Sequence, residues 1–484
     1  MKKYFYHISV LLFGVFLIVG CDGQKPNEPA TSTPEEPMEE PAEREAKAEP
    51  LSEMPYIISV KEAETQPEGA IGIQSSAHGY NGTYLMMVGG RIQGFHGTAN
   101  AGGVFASQYS NNQIAILNPQ TGDFKSLPVP EKHHDHLSST NMEYYFDGTH
   151  LICVGGYGAF GDASNPEEFK TFPYITAINF SDAVSAIQAS DASALEQSII
   201  ELKDNRMRVT GGGLEKIGDY YYLCFGQDYD TIYIGGITGQ YTEQVRKFKM
   251  DIADGAITIS DYEAYKDPSG KTGPESQYHR RDLNVCSAIR PDGSEGISIL
   301  GGVFTKDDGG WVNPILVDGE ATTTVKLFSA LEQKLSQYEC SLVSFYDPDN
   351  KVMFHTLMGG ISYYWYDNGE LKPSTIDNWL PFTSSITTIV HNGAGMQEFP
   401  QEESQSLPKL LGSDAAFIPN PDLSYMNESK TIIDLSKISK GDEPIHVGWI
   451  FGGIEATAAQ SDEFNPTSAS KTLYDVWLNW NAAI

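Results

Sequence analysis

The segment Tyr84-Leu85-Met86-Met87-Val88-Gly89-Gly90 is an apolar run that ends in a glycine pair, and it is the motif from which the fold can be predicted. The same motif recurs four more times, ending at Gly155-Gly156, Gly301-Gly302, Gly359-Gly360 and Gly452-Gly453. A sixth run, Tyr220–Gly226, has the apolar residues but one glycine only. A sequence unit that recurs several times along a chain is typical of a repeat architecture.

Each apolar run follows a tight-turn signal such as Asn81-Gly82, Asp147-Gly148 or Asp292-Gly293, so each unit begins as strand, turn, strand. Third strands are predicted at Gln113–Asn118, Tyr174–Phe180, Gln244–Asp251, Ile315–Phe328 and Leu473–Trp480, and fourth strands at Phe124–Leu127, Ser198–Leu202 and Ile257–Tyr262. Six four-stranded antiparallel sheets bury both of their faces when they are arranged radially. The sequence therefore predicts an all-β, six-bladed β-propeller over residues 56–484, with separate β-sandwich domains as the alternative.

Closure of the ring is also predicted. The last unit ends with its third strand, Leu473–Trp480, and leaves the outer position of that blade empty. The segment Tyr56–Val60, upstream of the first blade, has the apolar character to fill it. Joining the two ends in one sheet removes an exposed strand edge.

Four apolar residues followed by Gly-Gly at the end of a second strand resemble the kelch family of β-propellers. Together with the segments Asp135–Met142 and His279–Asp282, they are similar to bacterial secreted kelch-like proteins, which resemble the central domain of galactose oxidase. The resemblance implies the propeller fold and no particular activity. The copper radical oxidase among kelch-like propellers uses a cysteine-modified tyrosine and paired histidines; no position here matches them, so no cofactor is expected.

The N-terminus predicts an exported lipoprotein. Lys2 and Lys3 precede a short apolar run that meets Cys21 through Gly20, the pattern of a lipoprotein signal peptide over residues 1–20. Acyl chains such as palmitate on Cys21 would anchor the chain to a bacterial membrane, on the periplasmic side or at the cell surface. Residues 21–55 are acidic and rich in proline, which predicts a disordered tether.

The charge of the chain argues against nucleic acid as a partner. Asp and Glu number 64 against 32 Lys and Arg, for a net charge of −32. Such a surface repels phosphate backbones. The four remaining cysteines, Cys153, Cys224, Cys286 and Cys340, lie in apolar strands without a Cys-x-x-Cys pair and are expected to be buried thiols, although an exported chain would permit disulfides.

Candidate site residues come from the loops that enter the first strand of each blade. These loops share a face with the glycine pairs, and they gather histidine, arginine and acidic residues. The candidate binding residues are His134, Asp135, His136, Arg206, Arg208, His279, Arg280, Arg281, Asp282 and Asp414. Arginine forks in this set suit a carboxylate ligand.

Two other interpretations of the same residues remain open. The arginines would instead pair with Asp135, Asp282, Glu339 and Asp414 and join neighbouring blades. His134 and His136, if they alternate onto one strand face, would suit a metal ion, but two ligands are too few for a structural site, and no metal is assigned.

The sequence favours a recognition module for an acidic glycan or a protein, because it contains no recognisable motif for acid–base catalysis. The alternative is a carbohydrate-active enzyme of epimerase or lyase type. In that case His136 or His279 would move a proton while Arg208 and Arg281 hold the substrate carboxylate.

Overall fold

The computed structural model describes residues 48–95, 105–162, 165–234, 238–307, 309–374, 380–460 and 466–481. These described residues form one compact unit, a six-bladed β-propeller of antiparallel sheets. The strands of each blade are given from the innermost outward. Blade 1 consists of Ala77–Tyr80, Leu85–Val88, Gln113–Leu117 and Phe124–Pro128, and blade 2 of Thr140–Phe146, His150–Ala159, Tyr174–Asn179 and Ile199–Lys203. Blade 3 consists of Gly213–Ile217, Tyr220–Cys224, Gln244–Ala253 and Ala256–Lys266. Blade 4 consists of Asn284–Ile289, Glu295–Leu300, Ile315–Asp318 and Thr324–Leu327, and blade 5 of Ser341–Asp347, Val352–Met358, Ile386–Asn392 and Gly395–Pro400. Blade 6 consists of Leu410–Pro419, Ile445–Ala456, Tyr474–Trp480 and Tyr56–Glu62.

Shorter elements decorate the blades. Strands Phe169–Thr171 and Thr467–Ala469 extend blades 2 and 6, and two small hairpins pair Gln227–Asp228 with Gln240–Tyr241 and Tyr364–Asp367 with Glu370–Pro373. The α-helices are His134–Leu137, Phe180–Ala189 and Ala192–Gln197. No helix in the described part of the chain is both long and apolar enough to span a bilayer.

The apolar runs are buried on both sides because alternate residues pack against different neighbours. In blade 1, Leu85 and Met87 pack with Phe451 of blade 6, while Met86 and Val88 pack with residues of blade 2. Side chains alternate across a strand with a period of two. A second strand between two blades therefore needs a continuous apolar run, the pattern that identified the repeats.

The glycine pairs bring one blade against the next. Both residues of every pair have positive φ, and in blade 3 Phe225 (φ 59°) and Gly226 take the same conformation. In five of the blades the N–H of the second residue donates to a backbone carbonyl of the following blade, as Gly156 does to Val209 (2.8 Å). A Cβ on Gly155 would lie 2.1 Å from the same Val209 carbonyl oxygen, so glycine permits this approach.

The predicted closure is present. Tyr56–Glu62 pairs antiparallel with Tyr474–Trp480 over seven residue pairs, from Tyr56 opposite Trp480 to Glu62 opposite Tyr474. The side chain of Gln401, from blade 5, also brackets the closing strand: its Oε1 accepts from the Ile58 N–H (2.7 Å) and its Nε2 donates to the Ile58 carbonyl (2.9 Å). The first strand of the propeller thus joins the last blade to its neighbour.

Two details of the strand assignment were wrong. The single strand predicted at Ile315–Phe328 is a pair, Ile315–Asp318 and Thr324–Leu327, because Gly319 (φ 82°) turns the chain. The sequence also gave no sign of Ile432–Asp434, which adds parallel to the inner edge of Ser341–Asp347. The predicted signal peptide and residues 21–47 of the predicted tether, with Cys21, lie outside the described residues. Residues 48–55 of the predicted tether are described, and the backbone of Leu51 exchanges two hydrogen bonds with the side chain of Gln397 in blade 5.

Candidate functional site

A ring of six residues, here called the collar, surrounds the axis where the chain enters the innermost strands. Its members all have positive φ, and they are Ser75, Asn141, Gly211, Asp282, Glu339 and Asp414. Backbone hydrogen bonds join consecutive members: Asn141 N to Ser75 O (3.1 Å), Gly211 N to Asn141 O (3.2 Å), Asp282 N to Gly211 O (2.7 Å) and Asp414 N to Glu339 O (2.6 Å). Five residues other than glycine hold a conformation that L-residues rarely adopt, a form of strain that clusters at functional sites.

Three neighbouring members of the collar carry carboxyl groups. The Glu339 carboxyl shares hydrogen bonds with those of Asp282 and Asp414. Burial, and then the adjacent carboxyls, raises the pKa of Glu339 well above its usual value, while burial raises the pKa of Asp282 and Asp414. Each of these close carboxyls therefore disfavours ionisation of its neighbours.

A second ring lies on the glycine-pair side of the collar. In each blade the residue before the collar member pairs with the residue after the glycine pair: Gln74 with Arg91, Thr140 with Tyr157, Thr210 with Gln227, Arg281 with Val303, Tyr338 with Ile361, and Ser413 with Ile454. The residues after the glycine pairs are polar in blades 1 to 3 and aliphatic in blades 4 to 6. This face of the axis is therefore divided into a polar half and an apolar half.

The side chain of Arg281, from blade 4, reaches into the polar half, where residues that follow a strand of blade 3 form a cage around it. One Nη donates to Gln227 Oε1 and to the hydroxyl of Tyr229 (2.9 Å), and the other donates to the hydroxyl of Tyr233 (3.3 Å). Its Nε lies 3.2 Å from Asp282 Oδ2, and its guanidinium lies over the ring of Phe304 at 5.3 Å. These contacts fix the orientation of the guanidinium.

Arg91 is the second arginine of the polar half. It is 3% exposed, its Nη2 donates to the Ala106 carbonyl (2.8 Å), and its Nε has no hydrogen-bond partner among the described residues. No carboxylate in the described ranges lies within ion-pair distance of it. Burial lowers its pKa to about 10. An aromatic path joins the two arginines, because Arg91 lies over Phe105 (5.2 Å), Phe105 packs on Tyr233 (5.3 Å), and Tyr233 contacts Arg281.

His279 forms a dyad beside this cage. Its Nδ1 lies 2.8 Å from Glu243 Oε1, and its ring stacks on Tyr241 with the centroids 3.6 Å apart. The Tyr241 hydroxyl in turn accepts a hydrogen bond from the N–H of Phe304, the residue that packs on Arg281. A carboxylate on Nδ1 orients an imidazole for proton transfer through its other nitrogen.

Among solved structures, the chain is similar to YjhT. The two share 11% sequence identity with a TM-score of 0.44, over 84% of this chain and 99% of YjhT. A scan of protein-family models gave no match, and neither did a search of curated protein sequences.

The histidine segment of blade 2 does not lie as the sequence predicted. His134 and His136 are not on one strand face, because His134–Leu137 is a short helix. His136 is buried against the third strand of its blade, with Nδ1 2.9 Å from Thr176 Oγ1, while His134 and Asp135 are partly exposed. Within the described ranges, no three His, Cys, Asp or Glu side chains are arranged to hold a metal ion.

The predicted arginines take separate positions. Arg206 pairs with Asp204 and Arg208 with Asp228 and Asp230. Arg280 is fully buried and donates to Gln277 and to the Gly301 carbonyl. Of the ion pairs predicted to join blades, Arg281 with Asp282 is present, but it joins adjacent residues of one blade. Among the described residues, no arginine forms an ion pair with Asp135, Glu339 or Asp414. The structure therefore brings together Arg281, Asp282 and Asp414, with His279 beside them.

Sequence reasoning missed Arg91 and the part that Glu339 plays in the collar. A signal for Arg91 was available, since it directly follows the first glycine pair, and the residues that follow the other glycine pairs take the equivalent position in their blades. The four cysteines are free thiols, as expected: Cys153, Cys224 and Cys286 are buried and Cys340 is partly buried.

Proposed function

We propose that this propeller is a binding module for an anionic ligand, an acidic glycan being the class that fits, with the anion recognised on the glycine-pair face by Arg281 and the positive charge of Arg91. The observation that carries the proposal is that the buried guanidinium of Arg91 has no ion-pair partner among the described residues. A buried guanidinium without a counter-ion is unfavourable unless an anion offsets it. In a chain with a net charge of −32, that arrangement selects for a negatively charged group.

The surroundings of the two arginines support a sugar ligand. Rings of Phe105, Tyr157, Tyr229 and Tyr233 pack in one cluster between them. Tyr157 and Tyr229 are buried, whereas Phe105 and Tyr233 are partly buried and are the rings that offer a flat apolar surface for a sugar ring.

We test this with a glycan array that holds uronate-containing, sulfated and neutral glycans. We expect the full chain to retain acidic glycans, and Arg281→Gln and Arg91→Gln to lose at least tenfold in affinity. Arg206→Gln is the matched control, since Arg206 is exposed and paired with Asp204. Equal retention of neutral glycans, or an equal loss in the Arg206 control, overturns the proposal. A large fall in melting temperature for Arg281→Gln would assign Arg281 to structure instead.

The dyad of His279 and Glu243 favours a second candidate, an epimerase or lyase that acts on the same acidic sugar. In that reaction His279 moves the proton and Arg281 holds the carboxylate. The earlier alternatives, His136 and Arg208, lie in other contacts. The test is exchange of substrate protons for deuterium, followed by NMR, in the wild-type chain and in His279→Gln. Binding of the acidic sugar without proton exchange contradicts the enzyme and supports the recognition module.

We further propose that the chain is an exported, kelch-type lipoprotein, held to a bacterial membrane through Cys21. The signal pattern of residues 1–20 and the Gly-Gly repeats support this proposal. Labelled palmitate should enter the wild-type chain and be absent from Cys21→Ser. Incorporation that persists in Cys21→Ser contradicts it.

A further inference from the structure

The central channel of the propeller contains a cavity that lies apart from the two arginines. It has a volume of about 340 Å³, within the lower range of small-molecule sites. Its described lining runs from the collar residues Glu339 and Asp414 to Lys430 and Thr431, which are exposed. Arg281 and its cage are not part of that lining. The channel is therefore entered from the face opposite the glycine pairs, here called the hairpin face, and the collar closes its inner end.

The walls of the channel are acidic. Carboxyl groups of four blades line it: those of Glu143, Glu215, Glu339 and Asp414. The basic groups in the described lining are Lys430, at the exposed mouth, and His78. Burial lowers the pKa of His78 to about 4, so this imidazole is neutral. Arg246 lies outside the described lining but interacts electrostatically with Glu143, and within the lining Lys430 is the charged basic group. A lining with four carboxyl groups disfavours an anion.

One of these carboxyls lacks a partner. Glu143 is 2% exposed, its Oε1 accepts a hydrogen bond from the Gly212 N–H (2.6 Å), and its Oε2 has no partner among the described residues. Burial raises the pKa of Glu143 to about 8 and that of Glu215 to about 7. Glu215 differs in having its hydrogen bonds satisfied by Ser287. A bound cation would supply the donor that Oε2 of Glu143 lacks.

Aromatic residues line the route from the mouth to Glu143. They are Tyr80, Tyr144, Tyr145, Phe146, Phe417 and Tyr425. Tyr144 is fixed by a hydrogen bond between its hydroxyl and His78 Nε2 (3.1 Å). Aromatic faces attract organic cations, whereas a metal ion needs several converging ligands, an arrangement that the described residues do not provide.

We propose that the channel binds a small organic cation, a protonated amine with an apolar body, which enters from the hairpin face and donates to Oε2 of Glu143. The body of the ligand lies among the aromatic rings, and its ammonium group lies at the carboxyl. This site is independent of the arginines on the other side of the collar. Binding to an ionised Glu143 releases the proton that this carboxyl holds in the empty channel.

The experiment compares phenethylamine with 2-phenylethanol by calorimetry on the full chain at pH 7. The two probes have the same body and differ in the charged group. We expect the amine to bind at least tenfold more tightly, with proton release that shows as a dependence of the heat on the buffer. Glu143→Gln should abolish the preference, and the exposed control Glu62→Gln should keep it.

A second variant keeps the test decisive if Glu143→Gln fails to fold. Lys430 is exposed at the mouth, so Lys430→Glu should leave the fold intact and strengthen amine binding severalfold without affecting the alcohol. Equal affinity for amine and alcohol, no binding of either probe, or an amine preference that survives Glu143→Gln overturns the proposal. Arg91→Gln should leave amine binding unchanged, so failure of this site is distinguishable from failure of the anion site.

Discussion

The closing strand offers a sharp test of the ring, through the substitution Ile58→Ala. Ile58 is fully buried and packs in one cluster with Phe345 and Phe354 of blade 5 and with Leu478 of the strand it pairs with. Truncating it leaves a cavity at the junction of the two blades. The backbone hydrogen bonds to Tyr474–Trp480 are untouched, so the loss reports the packing that holds the ends of the chain together.

The magnitude follows from the burial of the side chain. Replacing a fully buried isoleucine by alanine costs about 2–5 kcal/mol. Folded domains have roughly 5–15 kcal/mol of stability in total, so this is a large fraction. For a chain of this size, about 2 °C of melting temperature is lost per kcal/mol, which gives a fall of roughly 4–10 °C.

The matched control is Ile57→Ala, one residue earlier on the same strand. Ile57 points to the opposite face and is only partly buried, so the same chemical change should cost about 1 kcal/mol or less. Thermal and urea unfolding of the three chains, followed by circular dichroism, measures the difference. Equal losses for the two variants, or a loss below 1 kcal/mol for Ile58→Ala, would refute the role assigned to the closing strand.

Two further predictions concern the channel and the glycine pairs. Because burial raises the pKa of Glu143 from 4.5 to about 8, the folded chain holds a proton that the unfolded chain releases, and stability falls as pH rises through this range. Glu143→Gln should lack this part of the pH dependence. In urea titrations, its free energy of unfolding relative to the wild-type chain should rise by up to about 5 kcal/mol between pH 4 and pH 8; the same pH dependence in both chains contradicts the assignment. Gly155→Ala should cost more than about 3 kcal/mol in the same assay, since its Cβ meets the Val209 carbonyl, whereas Gly148→Ala, with open space around its Cβ, should cost only about 1–2 kcal/mol of backbone strain. Similar losses at the two glycines would contradict the contact between blades.

The fold was predictable because its signals are local and repeat. Runs such as Leu85–Val88 are apolar at every position, since each lies between two blades, and the glycine pairs mark where one blade contacts the next. The closing strand followed from the empty position beside Tyr474–Trp480. The strand Ile432–Asp434 was missed because its three residues carry no periodicity, and its pairing with Ser341–Asp347 depends on the path of a long loop.

The candidate site was less predictable, because it depends on backbone geometry. His136 was placed on a strand face, but the local chain forms a helix and buries the ring against Thr176. Asn141, Asp282 and Asp414 are residue types that tolerate positive φ, so their place in the collar has a sequence signal, whereas Glu339 has none. Arg281 was singled out for its type, yet its cage involves Tyr229 and Tyr233, which follow a different strand.

The two proposed sites lie on opposite sides of the collar. Both need an intact collar, but neither site uses the residues of the other. Its hydrogen bonds run from blade to blade, so they persist only while the ring is closed, and its carboxyls separate the arginines from the acidic channel. A substitution at Arg91 or Glu143 should therefore remove one site and spare the other. Conditions that open the ring, such as heating Ile58→Ala past its lowered midpoint, should abolish both together. Loss of one site before the other on gradual unfolding would show that the blades, and not the ring, hold that site.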